Sequence, residues 1–344
     1  MHYLVTGHTG FKGAWLTLML AHYGHTVSGL ALDPAPGSLF ERARVAETLR
    51  DDLRVDIRDE EATSAAVSRV APDVVVHLAA QPLVRESYRD PRTTFETNVM
   101  GTFNVLQAVQ CTPGVRAQVI VTTDKVYRNL NQIWGYRESD PLGGVDPYSA
   151  SKAAADLMTQ SWIASSGSTV PTAIARAGNV IGGGDVCADR LMVDLVAALS
   201  RNGVVRLRYP DAVRPWQHVL DCLNGYVTLA SALLAGRVAG EAFNFGPGPE
   251  AFAPVADVAA EVAALWGGSG KIEYDDGPQV HEAGLLALDS RKAGVLLGWQ
   301  DQIGFHDALA RTVEWEKQVN DGADPRAVTT AQIDSYSRPA GAPQ

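Results

Sequence analysis

An α/β fold with a doubly wound parallel sheet is predicted by two features of the sequence. Short apolar runs alternate with longer helical patterns in the order 3–6, 15–23, 26–32, 62–70, 74–78, 95–109 and 119–122. A glycine-rich turn also separates the first run from the first helical pattern. Because strands joined through helices pair in parallel by right-handed crossovers, these features predict a sheet of the Rossmann type.

The chain is expected to divide into two unequal parts. Its 344 residues leave room for about two domains. Residues 1–178 are predicted to form the Rossmann domain, and residues 179–330 mainly a smaller C-terminal substrate lobe, because the regular alternation ends near residue 180. The apolar helical pattern within residues 216–236 is expected to return to the Rossmann sheet, and residues 331–344 are expected to form a tail.

Composition and charge exclude several classes of protein. The net charge of −10 has the wrong sign for binding a nucleic-acid backbone. No basic segment precedes an apolar stretch at the start, and no run of about 18 apolar residues occurs, so neither an export signal nor a membrane span is predicted. The cysteines, at positions 111, 187 and 222, are odd in number and form no Cys-x-x-Cys pair. They fit a reducing cytoplasm and predict no metal site.

The glycine-rich turn predicts a dinucleotide site. Gly7, Gly10 and Gly13 are spaced three residues apart between the first strand and the first helix. A tight turn, a close approach of the backbone to a pyrophosphate and close packing of helix on strand all require glycine there. The N–H groups at the start of the helix offer further donors to the anion.

Two acidic residues are candidates for contacts with the adenosine half of the cofactor. Asp33 lies 20 residues after Gly13, where a carboxylate accepts hydrogen bonds from the ribose and repels a 2′-phosphate, so NAD is favoured over NADP. An ordinary surface acid is the alternative for Asp33, and Arg42 and Arg44 leave some room for NADP. For Asp56, contact with the adenine and capping of a helix both stay open.

A tyrosine and a lysine four residues apart are candidate catalytic groups. Tyr148 and Lys152 share one face of a predicted helix. A lysine cation there stabilises a phenolate and lowers the pKa of the tyrosine, which can then shuttle a proton. Thr123 and Asp124 follow a predicted strand, and an isolated pair of this kind would cap a turn.

Taken together, these motifs resemble those of the extended short-chain dehydrogenase/reductases. The resemblance rests on the glycine motif, on HLAAQ at 77–81, on Asn98 and on the Tyr148–Lys152 pair. Within that superfamily, further segments closely resemble the CDP-glucose 4,6-dehydratases: HTGFKG at 8–13, TDK at 123–125, WGYRE at 134–138, GNVIGGGD at 178–185 and RPWQHV at 214–219.

The resemblance implies NAD-dependent dehydration of a nucleotide-sugar, with CDP-glucose favoured, to a 4-keto-6-deoxy sugar. Tyr148 would remove the proton of the C4 hydroxyl, Thr123 would hydrogen-bond the reacting oxygen, and Lys152 would hold the ribose and the phenolate. Asp124 would protonate the departing C6 hydroxyl, which requires a raised pKa. Lys125 is either the base that removes the C5 proton or a substrate-binding residue, and both interpretations stay open.

The resemblance also implies binding residues. Further cofactor contacts are expected from Phe11, Ile57, Leu78, Ala79, Ala80 and Asn98. Asn98 either organises a water or a backbone break or is an ordinary helix residue, and His77 is expected to be a packed core histidine. Because arginine forks bind phosphate bidentately, substrate contacts are expected from Asn179, Arg190, Arg208 and Arg214.

Rival functions stay open. A nucleotide-sugar 4-epimerase would use the same oxidation at C4 but would have no leaving hydroxyl for Asp124 to protonate. A 4,6-dehydratase of another nucleotide-hexose is a further alternative. A redox-sensing binding protein would keep the fold without needing Thr123, Tyr148 and Lys152 together. By family analogy we expect a homo-oligomer, either a dimer or a tetramer.

Overall fold

The computed structural model describes residues 1–165, 169–207, 209–268, 270–274 and 286–336. Their strands are β1 (His2–Thr6), β2 (Thr26–Ala31), β3 (Asp52–Arg54), β4 (Val74–His77), β5 (Ala117–Val121), β6 (Thr172–Ala177), β7 (Val180–Ile181), β8 (Val204–Leu207), β9 (Val213–Pro215), β10 (Gln217–His218), β11 (Ala242–Phe245), β12 (Phe252–Pro254) and β13 (Lys271–Tyr274).

The helices are α1 (Phe11–His22), α2 (Leu39–Arg42), α3 (Glu60–Val70), α4 (Val84–Arg89), α5 (Pro91–Phe95), α6 (Thr102–Gln110), α7 (Pro147–Ala164), α8 (Leu191–Leu199), α9 (Val219–Leu234), α10 (Val255–Trp266), α11 (Arg291–Leu297), α12 (Phe305–Asn320) and α13 (Pro325–Ser335). A π-helical turn (Glu96–Gly101) joins α5 to α6, and 3₁₀ turns cover Val45–Thr48, Asp124–Val126 and Pro249–Ala251.

One seven-stranded sheet organises the molecule. Its order is β11-β6-β5-β4-β1-β2-β3, and every neighbouring pair is parallel. The predicted doubly wound parallel sheet is therefore confirmed. The direction of the strand order reverses between β1 and β4, and folds of this kind bind ligands at the carboxyl ends of the strands beside such a reversal.

Helices cover both faces of the sheet because its strands are apolar on both sides. Tyr3 and Val5 of β1 point into the larger core cluster, which includes Trp15 of α1. Leu4, between them, points to the opposite face, into a cluster with Val67 of α3. Every residue of β4 and of β5 is buried, as expected for inner strands of a sheet covered on both sides.

Two segments of the C-terminal half belong to the Rossmann sheet in space. Helix α9 packs on β5 and β6. Residues 242–245 fall within the range predicted as the second lobe, yet they form β11 at the edge of the main sheet, beside β6. This strand is only four residues long and follows a long insertion, so the sequence carried no alternation that would reveal it.

The C-terminal helix extends into the range predicted as a tail. Helix α13 ends at Ser335, and the side chain of the following residue, Tyr336, is buried. The hydroxyl of Tyr336 donates a hydrogen bond of 2.8 Å to Oδ1 of Asp221 on α9. Packing and this buried bond hold residues 331–336 in place, and residues 337–344 lie outside the described part. Among the described residues, no helix combines the length and the apolar character that crossing a bilayer requires.

Candidate active site

The glycine turn between β1 and α1 has the shape of a phosphate cradle. Gly7 has a φ of +73°, and a Cβ there would lie 2.8 Å from the amide nitrogen of Ala79. A Cβ on Gly13 would lie 2.2 Å from the carbonyl oxygen of Gly7. Gly10 precedes α1 without a side-chain cap, so no side chain covers the N–H groups of the first turn. The turn fits the pyrophosphate of a dinucleotide.

The loop after β4 is tied to this cradle by a buried threonine. The Oγ1 atom of Thr6 accepts hydrogen bonds from the N–H groups of Leu78 at 3.1 Å and Ala79 at 3.2 Å. It also shares a hydrogen bond of 2.7 Å with Nδ1 of His77. Burial lowers the pKa of His77 to about 3, so this histidine is neutral and serves packing rather than proton transfer. Ala80, which follows Ala79 in this loop, is half-buried.

The carboxylate of Asp33 is open to a ligand. Asp33 lies just after β2, its side chain is 89% exposed, and its Oδ1 is 3.3 Å from Nε of Arg54. The two arginines that left room for NADP are engaged elsewhere. Arg44 forms an ion pair with Asp324, and Arg42 lies over the ring of Trp315. The position of the ribose implied by Asp33 is instead at the end of β2.

Asp56 and Ile57 follow β3 at the same edge of the sheet. Oδ1 of Asp56 accepts a hydrogen bond of 3.0 Å from the N–H of Arg58, and the Arg58 side chain lowers the pKa of this carboxyl by hydrogen bonding. Asp56 therefore organises a turn but does not cap a helix, because the cap of α3 is Asp59, which accepts a hydrogen bond of 2.9 Å from the N–H of Ala62. Ile57 is buried, and its carbonyl oxygen accepts a hydrogen bond of 2.9 Å from Asn104.

Helix α7 carries the tyrosine and the lysine on one face. The helix begins here because Asp146 accepts a hydrogen bond of 2.9 Å from the N–H of Ser149, and Pro147 occupies the first turn. Nζ of Lys152 donates a hydrogen bond of 2.9 Å to the carbonyl oxygen of Val121, the last residue of β5. Burial lowers the pKa of Lys152 to about 8. The lysine therefore joins α7 to the carboxyl end of β5.

Tyr148 lies beside the segment that follows β5. Its phenol shares a hydrogen bond with the side chain of Thr123. Burial, with a smaller effect of the negative charge of Asp124, raises the pKa of Tyr148 to about 12, while Thr123 and the positive charge of Arg190 act in the opposite direction. For the tyrosine to act as a base near neutral pH, positive charge must stabilise its phenolate.

The pKa of Asp124 is shifted in the direction that a general acid needs. Its side chain is buried, and Oδ1 accepts a hydrogen bond of 2.8 Å from the hydroxyl of Thr123. Burial raises the pKa of Asp124, although the positive charges of Lys125 and Arg214 oppose that change. A Cβ on Gly178 would lie 3.1 Å from Oδ2 of Asp124, so the glycine after β6 allows this close approach. Lys125, the next residue, is half-buried.

Asn98 lies at a break in the helical backbone. It lies in the π-helical turn, where its Oδ1 accepts a hydrogen bond of 2.8 Å from the N–H of Gln81. Its Nδ2 donates a hydrogen bond of 2.9 Å to Oγ of Ser151, which lies between the tyrosine and the lysine on α7. Asn98 thus joins the loop after β4 to α7.

The substrate side presents arginines toward the same groups. Arg190 precedes α8 and pairs with Asp185 at 3.1 Å, and its charge acts on Tyr148. Arg214 on β9 is half-buried, and its charge acts on Asp124. Asn179 is half-buried after β6, and Arg208 lies outside the described residues.

Comparison with known proteins identifies the family. The model of the NAD dependent epimerase/dehydratase family matches residues 3–246. The chain belongs to this family. Membership confirms the predicted NAD cofactor and the resemblance to the extended dehydrogenase/reductases. The cradle between β1 and α1 fits that cofactor.

Individual members of the family resemble the whole chain. The CDP-glucose 4,6-dehydratase of Salmonella typhimurium is 41% identical over 341 residues, which cover 96% of this chain and 95% of that protein. The dTDP-glucose 4,6-dehydratase of Streptomyces venezuelae, solved with NAD and TYD bound, is 28% identical with a TM-score of 0.79 and covers 95% and 100% of the two chains. The UDP-glucose 4-epimerase of Thermotoga maritima has a TM-score of 0.81 at 23% identity over 93% and 99% of the chains, which reflects the fold alone.

Two residues near the site were missed at the level of sequence. Oγ of Ser87 accepts a hydrogen bond of 3.0 Å from the N–H of Tyr148, and no pattern around Ser87 signals this long-range contact. Lys12, inside the glycine motif, has its Nζ 3.4 Å from the hydroxyl of Tyr226 and lowers the pKa of Lys152 by charge repulsion. The glycine motif does not require a charged residue at position 12, so the lysine there was the available sequence signal for a role near the site.

A separate cavity of about 170 Å³ lies behind residues 182–186. It is lined by side chains of α8 and α12 together with Arg42 and Asp185. None of the predicted catalytic residues lines it.

Proposed function

We propose that this protein is a NAD-dependent CDP-glucose 4,6-dehydratase, a hydro-lyase that forms CDP-4-keto-6-deoxyglucose. The observation that carries the proposal is the contact of a buried carboxyl, Asp124, with the threonine that also hydrogen-bonds Tyr148. An oxidation site for a sugar carbinol and an acid for a leaving hydroxyl are thereby adjacent. The 41% identity to the Salmonella typhimurium enzyme supports the nucleotide preference.

The first step is oxidation at C4 of the hexose. Tyr148 removes the proton of the C4 hydroxyl, and Thr123 hydrogen-bonds the same oxygen. The ammonium group of Lys152 stabilises the phenolate and holds the ribose of the cofactor. The glycine cradle and Asp33 would hold NAD, which would supply the acceptor for the hydride of C4 and the donor for its return to C6.

The second step is loss of water across C5 and C6. The C4 ketone acidifies the C5 proton, and Asp124, whose pKa is raised by burial, donates its proton to the departing C6 hydroxyl. Lys125 is either the base that takes the C5 proton or a substrate-binding residue, in which case another group takes that proton. Retention of normal C5 exchange by Lys125→Met would overturn the first assignment.

The site must also bind the diphosphate of the nucleotide-sugar. Arg190 and Arg214 lie on the side of the site formed by α8 and β9, and their charges act on the catalytic tyrosine and aspartate. Two arginine forks match the two phosphates of a nucleotide-sugar. We propose that Asn179 and Arg208 complete this set.

One assay tests the proposal. The protein, NAD and a panel of CDP-, dTDP-, GDP- and UDP-glucose are incubated in deuterated water, and the products are analysed by mass spectrometry and NMR. A 4-keto-6-deoxy product carrying deuterium at C5, formed best from CDP-glucose, is expected. An unlabelled C4 epimer would instead support an epimerase, preference for another nucleotide would reassign the substrate, and absence of turnover would support a binding protein.

We also propose that the protein is cytoplasmic and works as a homo-oligomer. Its cysteines are free, which suits a reducing compartment. Adjacent elements α4, α5, the π-helical turn and α7 expose large apolar side chains, namely Tyr88, Phe95, Met100 and Leu157. A second copy packed on this face would bury them. Light scattering at micromolar concentration tests this, and a monomer would contradict it.

A further inference from the structure

A fully buried ion pair lies directly behind the candidate active site. Asp156 of α7 and Arg176 of β6 both have completely buried side chains. Nε and Nη2 of Arg176 donate hydrogen bonds of 2.8 Å and 2.7 Å to the two carboxylate oxygens. This is a bidentate pair in the interior, joining the helix of the catalytic tyrosine to the neighbouring strand.

The carboxylate of this pair also holds the residue before Thr123. Asp156 lies one helical turn beyond Lys152, so Tyr148, Lys152 and Asp156 are stacked along one side of α7. Oδ2 of Asp156 accepts a hydrogen bond of 3.0 Å from the hydroxyl of Thr122. Through Thr122, α7 is tied to the N-terminal side of the segment 123–125.

The guanidinium holds the other side of the same segment. Nη1 of Arg176 donates a hydrogen bond of 2.8 Å to the hydroxyl of Tyr127. That hydroxyl in turn donates a hydrogen bond of 2.7 Å to Oδ1 of Asn244 on β11. Nη1 also reaches the carbonyl oxygen of Glu138 at 3.1 Å. The pair therefore contacts the residue before and the second residue after the segment Thr123-Asp124-Lys125.

A buried ion pair does not by itself stabilise a fold, because the cost of removing both charges from water offsets their attraction. An apolar pair of similar volume would fill this space as well. What an apolar pair could not supply is the set of directed hydrogen bonds to Thr122 and Tyr127. The arrangement suits control of position more than stability.

We propose that Asp156 and Arg176 are positioning residues that fix the segment 123–125 against Tyr148 and Lys152. This inference rests on the proposed function of that segment. The pair touches neither substrate nor cofactor and acts through Thr122 and Tyr127. Its loss lets Thr123 and Asp124 move relative to Tyr148, and small displacements of this kind lower a catalytic rate strongly.

The pair also sets the charge around the lysine. Lys152 faces Lys12 from α1, His77 from β4 and Asp156 from its own helix. Only Asp156 among these carries negative charge, and it raises the pKa of Lys152 against burial and Lys12. Removal of that charge lowers the pKa of Lys152 and moves the alkaline limb of the rate profile to lower pH.

A matched pair of threonine variants gives the most specific test. Thr122→Val removes the hydrogen bond to Asp156. Thr159→Val makes the same change in another buried threonine. The hydroxyl of Thr159 donates a hydrogen bond of 2.7 Å to the carbonyl oxygen of Ala155. We expect Thr122→Val to lower kcat for CDP-glucose roughly 10-fold with KM nearly unchanged. Thr159→Val should retain the wild-type kcat, and equal kcat values for the two variants would overturn the proposal.

Two aspartate variants test the pair itself. Asp156→Asn is expected to lower kcat roughly 10- to 100-fold and to shift the alkaline limb downward. If this variant does not fold, the double variant Asp156→Leu/Arg176→Met removes both charges together. A folded double variant with a low kcat would support a positioning role. If either folded variant kept the kcat and the pH profile of the wild type, the positioning role would be overturned.

A readout without turnover separates this proposal from the proposed function. If the wild type forms no deoxy product, the function fails, but the pKa of Lys152 remains measurable by NMR of the full-length protein with labelled lysine. We expect Asp156→Asn to lower that pKa and Thr159→Val to leave it unchanged. An unchanged pKa in Asp156→Asn would overturn the inference independently of activity.

Discussion

The hydroxyl of Thr123 donates a hydrogen bond of 2.8 Å to Oδ1 of Asp124, its neighbour in the chain. Both side chains are buried, and Thr123 also hydrogen-bonds Tyr148. A group suited to oxidation at C4 and a group suited to elimination at C6 therefore belong to one hydrogen-bonded cluster. A 4-keto sugar formed there need not leave before it loses water.

Asp124→Asn should separate the two reactions. The amide keeps the shape of the side chain but has no acidic proton, so product formation should fall about 100-fold or more. Oxidation at C4 should persist, so reduced nicotinamide should accumulate after CDP-glucose is added and its absorbance should rise. Tyr148→Phe is the control, because it blocks both the absorbance change and the product. Normal product formation by Asp124→Asn would exclude its role as the acid.

Asp33→Ser should relax the choice of cofactor. The carboxylate is exposed and would repel a 2′-phosphate, whereas Arg54 lies 3.3 Å away and would attract one. We expect the affinity for NADP relative to NAD to rise roughly 10-fold, equivalent to about 1.4 kcal/mol. Titration calorimetry measures both affinities. An unchanged ratio would place the adenosine ribose away from Asp33.

Gly13→Ala should destroy the cradle. The added Cβ would lie 2.2 Å from the carbonyl oxygen of Gly7, so the turn must open and its N–H groups must move away from the pyrophosphate. Binding of NAD should become undetectable by calorimetry. Gly304→Ala is the matched control, since its Cβ meets no atom within 4 Å and its φ is −63°. Retained NAD affinity in Gly13→Ala would contradict the assignment.

Lys152→Met should stabilise the NAD-free protein at neutral pH while abolishing activity. Burial lowers the pKa of Lys152 from 10.5 to about 8, so the folded protein binds this proton more weakly than the unfolded chain. That difference corresponds to a penalty of about 3 kcal/mol below pH 8, which disappears as pH rises to 10.5. The lost hydrogen bond to Val121 costs about 1 kcal/mol, so a net gain of about 2 kcal/mol is expected.

Urea unfolding at two pH values measures this difference. The free energy of unfolding of Lys152→Met should exceed that of the wild type near neutral pH, and the advantage should shrink as pH approaches 10.5. A variant that is less stable than the wild type at neutral pH would contradict the lowered pKa.

Local spacing predicted much of the fold and of the candidate site. The three-residue spacing of the glycines and the four-residue spacing of Tyr148 and Lys152 depend only on turn and helix geometry, which neighbouring residues determine. Contacts between distant segments left no such pattern. Asp156 and Arg176 occur as ordinary polar residues in the sequence, and only the packing of α7 on β6 brings their charges together. The short strand β11 was missed for the same reason.

The most direct test of the account uses CDP-glucose with deuterium at C4. The enzyme is incubated with this substrate and NAD in ordinary water, and the product is analysed by NMR. If the cluster around Tyr148 oxidises C4 and returns the same hydride, the deuterium should be found at C6 of the 4-keto-6-deoxy product. Recovery of the deuterium at C4 of an epimer, or its absence from C6, would contradict the account.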